Sequence, residues 1–249
     1  MIKLGISGIS GRVGRLILEI LQGDDFFVPS IGFGRSEGEI CGVKVVSNAV
    51  EFVNSCDIIV DFSLPDGLEK VIDANMSAKK PLISGTTGLS DAQMDKLVRL
   101  SGSTKVLWDM NMSLGVGIIR GIVGDIGAQL PKAEVEILEK HHNQKKDAPS
   151  GTAILLGKEI AGARGVDFKA VASYDRDHKR KDGEIGFASI RAGNIVGEHR
   201  VSFFFGDEEI EVCHKAFSRK IFAQGAADGA KKLYSLNVSH GFFSLGDLV

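Results

Sequence analysis

The spacing of apolar positions changes along the chain, and each change marks an element. Ile2–Ser7 (IKLGIS) is a short apolar run of the kind a buried parallel strand shows. After the glycine-rich GISGRVG (Gly8 to Gly14), the residues Val13, Leu16, Ile17, Ile20 and Leu21 recur at helical spacing. FVPSIGF (27–33) is a further apolar run, and CDIIVDFS (56–63), PLISGTTG (81–88) and KVLWDMNMS (105–113) are runs that each end in a polar turn. Between them, 72–80 reads as the end of one helix and Ser90 as the N-cap of another. Residues 1–112 thus alternate strand and helix, which predicts a Rossmann-like doubly wound parallel sheet.

From residue 113 the character differs. Gly115 to Leu130 reads as helix. Beyond Lys132 the strands lengthen and alternate apolar with polar, as in VEILEKHH, EIGFASIRAG, EHRVSFFFG and EEIEVCHKAF. That alternation predicts a mixed or antiparallel sheet with one wet face, interrupted by a helix over 150–162. The fold class expected is α/β, with a second α+β domain over 113–222. Helical spacing returns after Ala223, and 223–249 is expected to pack back on the first domain.

Composition narrows the classes. Hydrophobic residues make up 43% and charged residues 25%, with a net charge of −2, so the chain has the apolar content to fold. Lys+Arg 30 against Asp+Glu 32 leaves no excess positive charge for nucleic acid. The longest uncharged stretch near the middle, Met110 to Ile119, is too short and glycine-rich to span a bilayer. The three cysteines, Cys41, Cys56 and Cys213, form no C-x-x-C pair. With no charged-then-apolar leader at the start, the expectation is a cytoplasmic protein without a membrane partner. Cys213 is expected to pack as a small hydrophobe.

Four stretches carry candidate chemistry. Gly8-x-x-Gly11-x-x-Gly14 follows a strand and opens a helix, where glycines let backbone approach a pyrophosphate and helix N–H groups hold it. Arg12 either reaches a phosphate or is solvated. At the end of the second strand, Phe33-Gly34-Arg35-Ser36 lacks the acid that bonds an NAD ribose, although Glu37 is close. Arg35 suits a 2′-phosphate, which favours NADP, or simply faces solvent. SGTTG (84–88) and DMNMS (109–113) lie beyond strand ends, so Thr86, Thr87 and Asn111 are candidates for a nicotinamide carboxamide or ribose, or ordinary polar turns. The fourth stretch, EKHHNQKKDAPSGT (139–152), gathers titratable groups at a strand end before a helix. Ser150, Gly151 and Thr152 offer donors to a carboxylate, and Lys145 is a candidate acid or cation. A metal held by His141, His142 and Asp147 is disfavoured, because adjacent strand residues point to opposite faces. His199 and His214 read as structural or surface strand residues, Asp61 as a turn closer, and 176–184 as an exposed basic loop that could also cover an anionic ligand.

EKHHNQKKDAPSGTA resembles the signature of the 4-hydroxy-tetrahydrodipicolinate reductase (dihydrodipicolinate reductase) family. GISGRVGR, DFSLPDG, GTTG, NMSLGVG, IGFASIRAGNIVGEH and HKAFSRKIFAQGA extend the resemblance through nearly the whole chain. It implies an NAD(P)H-dependent enzyme of lysine and diaminopimelate synthesis, a homotetramer acting on a small dicarboxylate. The second domain would then bind substrate and oligomerise. By position, it implies His141 as catalytic histidine, Lys145 as proton donor, and His142 with Ser150, Gly151 and Thr152 as the substrate carboxylate site. Gly8, Ile9, Ser10, Gly11, Arg12, Val13, Gly85, Thr86, Thr87, Asp109, Met110, Asn111 and Met112 would line NADPH and/or NADH, with no metal. The chain departs from the family at Gly34, where many members place an acid, and at Asp109-Met110. The rival readings are another imine or amino-acid dehydrogenase, a non-catalytic dinucleotide sensor, and a metal hydrolase.

Overall fold

A computed structural model describes residues 1–248. They form two compact units: residues 1–113 with the segment from Lys220 onward, and residues 114–219. In chain order the first unit contributes β1 (Ile2–Ser7), α1 (Arg12–Ile20), β2 (Phe27–Phe33), β3 (Gly38–Ile40), β4 (Val43–Val46), α2 (Ala49–Asn54), β5 (Ile58–Asp61), α3 (Pro65–Ala78), β6 (Leu82–Ser84), α4 (Asp91–Ser101) and β7 (Lys105–Trp108). The second unit holds α5 (Leu114–Gln129), β8 (Glu134–His141), α6 (Gly151–Ala163), α7 (Phe168–Val171), β9 (Ala172–Ser173), β10 (Ile185–Arg191), β11 (Gly197–Phe205) and β12 (Glu208–Ala216). The chain then returns to the first unit with α8 (Lys220–Ser235) and β13 (Gly241–Phe243).

The first sheet runs β13-β7-β6-β5-β1-β2-β4-β3, parallel throughout except for β3 against β4. Its central strands β5 and β6 are buried at every position and β1 and β7 at most, as their apolar runs require, and Phe52, Ile59, Leu68, Ile72, Leu82 and Val106 belong to one core cluster. The short strands β3, β4 and β13 and the helix α2 escape the sequence pattern, being too brief to show a period. α4 begins as expected at Ser90, which forms a full capping box with Gln93. Lys105, on β7, is buried and donates Nζ to the Tyr234 and Leu236 carbonyls at 2.8 and 3.2 Å, fastening the end of α8.

The second sheet runs β12-β11-β8-β10-β9, with β10 parallel and β11 antiparallel to β8, so it is mixed. Helices α5 and α6 cover one face, packing Val123, Leu156 and Ile160 onto Val135, Ile137, Ile185, Val201 and Phe203. On the opposite face no helix of this unit lies among the described residues, and Ile190 and Phe204 stay exposed there.

One expectation fails here, and a second holds with an addition. Cys213 does not pack: it is exposed, because on the edge strand β12 the inward set is Val212, His214 and Ala216. The 176–184 loop is exposed as expected, and two of its arginines are engaged in ion pairs. Arg176 and Arg180 both pair with Glu136, and Arg176 also pairs with Glu184 at 2.7 Å.

Candidate active site

In the first unit, the candidate turns sit at the carboxyl ends of neighbouring parallel strands. Gly8, after β1, has φ +75°, and a Cβ there would stand 2.5 Å from the Phe62 carbonyl oxygen. A Cβ at Gly14 would stand 2.4 Å from the Gly8 carbonyl oxygen, which accepts the Gly11 N–H at 2.9 Å. No side chain among the described residues caps α1, so its first N–H groups and positive dipole end stay available to an anion.

One buried carboxylate ties the next two turns together. Asp61 accepts from Ser63 Oγ at 2.6 Å, Ser84 Oγ at 2.8 Å and Thr86 Oγ1 at 2.6 Å. Gly85 lies against the Phe62 ring, where a Cβ would approach to 2.4 Å. Arg12 and Val13, Phe62 to Pro65, and Gly85 to Thr87 line a cleft of about 250 Å³. An uncapped helix start beside glycines that admit no Cβ fits a dinucleotide pyrophosphate.

The other expected cofactor residues divide by exposure. Ser10, Arg12, Arg35, Thr87 and Met110 are exposed. The Ile9 and Met112 side chains are buried in packing, so only their backbone can meet a ligand. The Thr86 hydroxyl is given to Asp61 rather than offered to a ribose. Asp109 and Asn111 build the turn after β7, accepting the Asn111 and Ser113 N–H groups at 3.2 and 2.9 Å. Glu37 accepts from Ser47 Oγ at 2.7 Å, and Arg35 remains the charged group at the β2 end.

In the second unit, three strands change chemistry at one level of the sheet. The inward positions of β8 run Val135, Ile137, Glu139, His141; those of β10 run Ile185, Phe187, Ser189, Arg191; those of β11, from the other end, run Phe203, Val201, His199, Gly197. Register sets Ser189 and His199 on either side of Glu139, and Arg191 beside His141. The apolar core thus gives way to a polar cluster against the start of α6.

Glu139 is fully buried at the centre of that cluster. Its Oε2 meets His141 Nδ1 at 2.6 Å and Arg191 at 2.8 Å; its Oε1 accepts from Arg191 at 2.5 Å and from the Ser150 N–H at 3.2 Å. Burial opposes ionisation, but hydrogen bonds from His141, Arg191 and Ser189 prevail and hold its pKa down to about 2. An ionised Glu139 makes Nδ1 of His141 the proton-bearing nitrogen and leaves Nε2 to exchange protons. Gly197 makes room for that ring: a Cβ there would lie 3.2 Å from His141 Nε2.

Ser150 caps α6, its Oγ accepting the Ala153 N–H at 3.2 Å and meeting His199 Nε2 at 3.0 Å. A Cβ on Gly151 would touch nothing within 4 Å, so the helix start is open to a ligand at that point. The 142–149 loop carries His142 and Lys145; Lys145 pairs with Asp147 at 2.9 Å. Burial would raise the Asp147 carboxyl, but the Lys145 pair prevails and holds it below the usual range. Among the described residues, no group of three His, Cys, Asp or Glu side chains is placed to hold a metal.

Profiles described as dihydrodipicolinate reductase match the chain in both parts, the N-terminus over residues 2–112 and the C-terminus over 115–249. The chain belongs to the dihydrodipicolinate reductase family. A 4-hydroxy-tetrahydrodipicolinate reductase from Nitratiruptor sp. is 39% identical over 99% of this chain and 98% of its own. That from Campylobacter lari is 40% identical over the same shares, 99% and 98%. Among solved structures, a dipicolinate-bound dihydrodipicolinate reductase from Paenisporosarcina sp. TG-14 covers 100% of both chains with a TM-score of 0.83 at 19% identity. A probable dehydrogenase from Thermotoga maritima shares the fold more loosely, with a TM-score of 0.62 at 12% identity over 93% of this chain and 87% of its own.

In this dihydrodipicolinate reductase family chain, sequence reasoning missed Glu139, Arg191 and His199, and Phe62 to Pro65 in the first unit's cleft. A signal for the first three was present. Each polar residue continues an apolar face at a spacing of two, and a polar group on a buried face must find partners.

Proposed function

We propose that the protein reduces 4-hydroxy-tetrahydrodipicolinate to tetrahydrodipicolinate, in lysine and diaminopimelate biosynthesis, with NADPH or NADH as reductant. The observation that carries this reading is the Glu139-bound imidazole of His141 beside the uncapped side of a serine-capped helix start, a proton donor next to an anion site. When bound, the reduced nicotinamide supplies a hydride. The glycine turn and Arg12 hold its phosphates, and exposed Arg35, with no acid at 34–36, favours the 2′-phosphate of NADPH.

The remaining work falls to this chain's residues. Overall the substrate takes up one hydride and one proton and loses its hydroxyl as water, and the proton is held at Nε2 of His141 or on the Lys145 ammonium. His142, Ser150, Gly151 and Thr152 receive a substrate carboxylate at the dipole end of α6.

The open face of the second sheet, with Ile190 and Phe204 exposed, supports self-association into a homotetramer. No helix among the described residues is long and apolar enough to cross a membrane. A cytoplasmic location is part of the same reading, since reduced nicotinamide is the reductant.

The test is spectrophotometric. Loss of NADPH and NADH absorbance is followed with freshly generated hydroxy-tetrahydrodipicolinate, beside a panel of imines and amino acids. Turnover confined to the dipicolinate precursor supports the reading. Turnover of another imine or amino acid instead, or none at all, overturns it.

A further inference from the structure

Ser150 is the N-cap of α6, and its neighbours decide which side of its hydroxyl faces a ligand. A serine hydroxyl has one proton and two lone pairs. One lone pair takes the Ala153 N–H at 3.2 Å. The other close neighbour is His199 Nε2 at 3.0 Å. His199 is only 3% exposed, and burial, then the nearby His141, push its pKa down to about 3, so the ring is neutral and has a single N–H.

The position of that N–H follows from the other nitrogen. Nδ1 of His199 is buried with no hydrogen-bond partner among the described residues. With the proton on Nδ1, a buried N–H would be orphaned, a rare and costly arrangement. With the proton on Nε2, only a lone pair lacks a partner, and the N–H donates to Ser150 Oγ. Both serine lone pairs are then filled.

We propose that His199 is a positioning residue: by donating to Ser150 Oγ it turns the Ser150 hydroxyl proton outward, making the serine an obligate donor to a substrate carboxylate oxygen. The inference rests on the reading of this cluster as the dicarboxylate site. It assigns the site a selectivity device, because a serine that cannot accept rejects a ligand presenting an N–H where the carboxylate belongs.

Two measurements on the full chain test it. Long-range proton–nitrogen NMR, with the His199 signals assigned by their loss in H199L, should show the Nε2–H tautomer; an Nδ1–H tautomer overturns the proposal. Calorimetry with pyridine-2,6-dicarboxylate and NADPH compares wild type, H199L, H199Q, S150A and the H199L/S150A double variant. H199L should bind the dicarboxylate about 10- to 100-fold more weakly, the loss expected when a hydrogen bond to a charged group is spoiled. H199Q, whose amide N–H replaces Nε2–H, should recover to within about threefold of wild type. The double variant should bind no more weakly than S150A, since His199 acts only through Ser150. The monoamide of the same ligand should lose its disadvantage in H199L. Additive losses in the double variant, or wild-type affinity in H199L, sink the positioning role. A wild-type protein that binds NADPH but ignores the dicarboxylate sinks the underlying site reading instead, and the proposal with it.

Discussion

Glu139 and His141 stand two residues apart on one face of β8, and the ionised carboxylate accepts a hydrogen bond from the imidazole Nδ1–H at 2.6 Å. The same carboxylate is gripped by both terminal nitrogens of Arg191 and by the backbone of Ser150. One ionised group therefore sets the ring's tautomer, anchors a neighbouring strand and fixes the start of α6. Exchanging Glu139 for glutamine should lower kcat by at least about tenfold, as loss of a tautomer-fixing carboxylate does elsewhere. NADPH affinity should stay unchanged. Steady-state kinetics beside a cofactor titration measure both, and an unaltered kcat would remove Glu139 from any role in orienting His141.

His141→Ala and Lys145→Ala should each lower turnover by about 10²–10⁴-fold, the range for a lost acid or base. Cofactor binding should persist. Near-normal kcat in both variants would mean that neither group delivers the proton.

Arg35→Ala should raise KM for NADPH more than KM for NADH, since only NADPH carries the 2′-phosphate that its guanidinium suits. Equal changes for the two cofactors would make Arg35 a bystander.

Acid stability has a defined sign. His199 falls from 6.5 unfolded to about 3 folded, so the unfolded chain binds its proton first and stability declines as pH drops from about 6.5 toward 3. Glu139 is held at about 2 against 4.5, so its contribution is full above 4.5 and fades as pH falls toward 2. Between pH 6.5 and 4.5 the histidine dominates this pair, at no more than about 1.4 kcal/mol per pH unit. Urea titrations across that interval should show a flatter slope for H199L than for wild type. His214, whose pKa burial also lowers, keeps its share in both proteins. Identical slopes would mean that His199 is not neutral in the folded state.

If the proposed self-association uses the open sheet face, Ile190→Glu or Phe204→Glu should give a smaller mass than wild type in light scattering. A charge on the open sheet face must be desolvated to enter an interface. An undiminished mass would place self-association on another surface.

The parallel sheet was legible from unbroken apolar runs, and the mixed sheet from strict alternation. The glycine turn and Ser150 were legible because backbone demands restrict residue type at such places. Glu139, Arg191 and His199 were not, because their meaning depends on which strands lie side by side. β8 neighbours β10 and β11, which follow it by more than forty residues, and no local pattern announces that register. Cys213 misled for a related reason: whether an alternating residue is inward depends on phase, and β12 is an edge.

The return of the chain to the first unit after Arg219 bears on how the protein is made. On the ribosome, residues 114–219 are complete while the nucleotide-fold unit still waits for α8, for β13 and for the two carbonyls that receive Lys105. The unit begun first is finished last. Protease treatment of stalled nascent chains should find the second unit resistant before the first, and a chain stopped at Arg219 should leave its amino-terminal half open to cleavage.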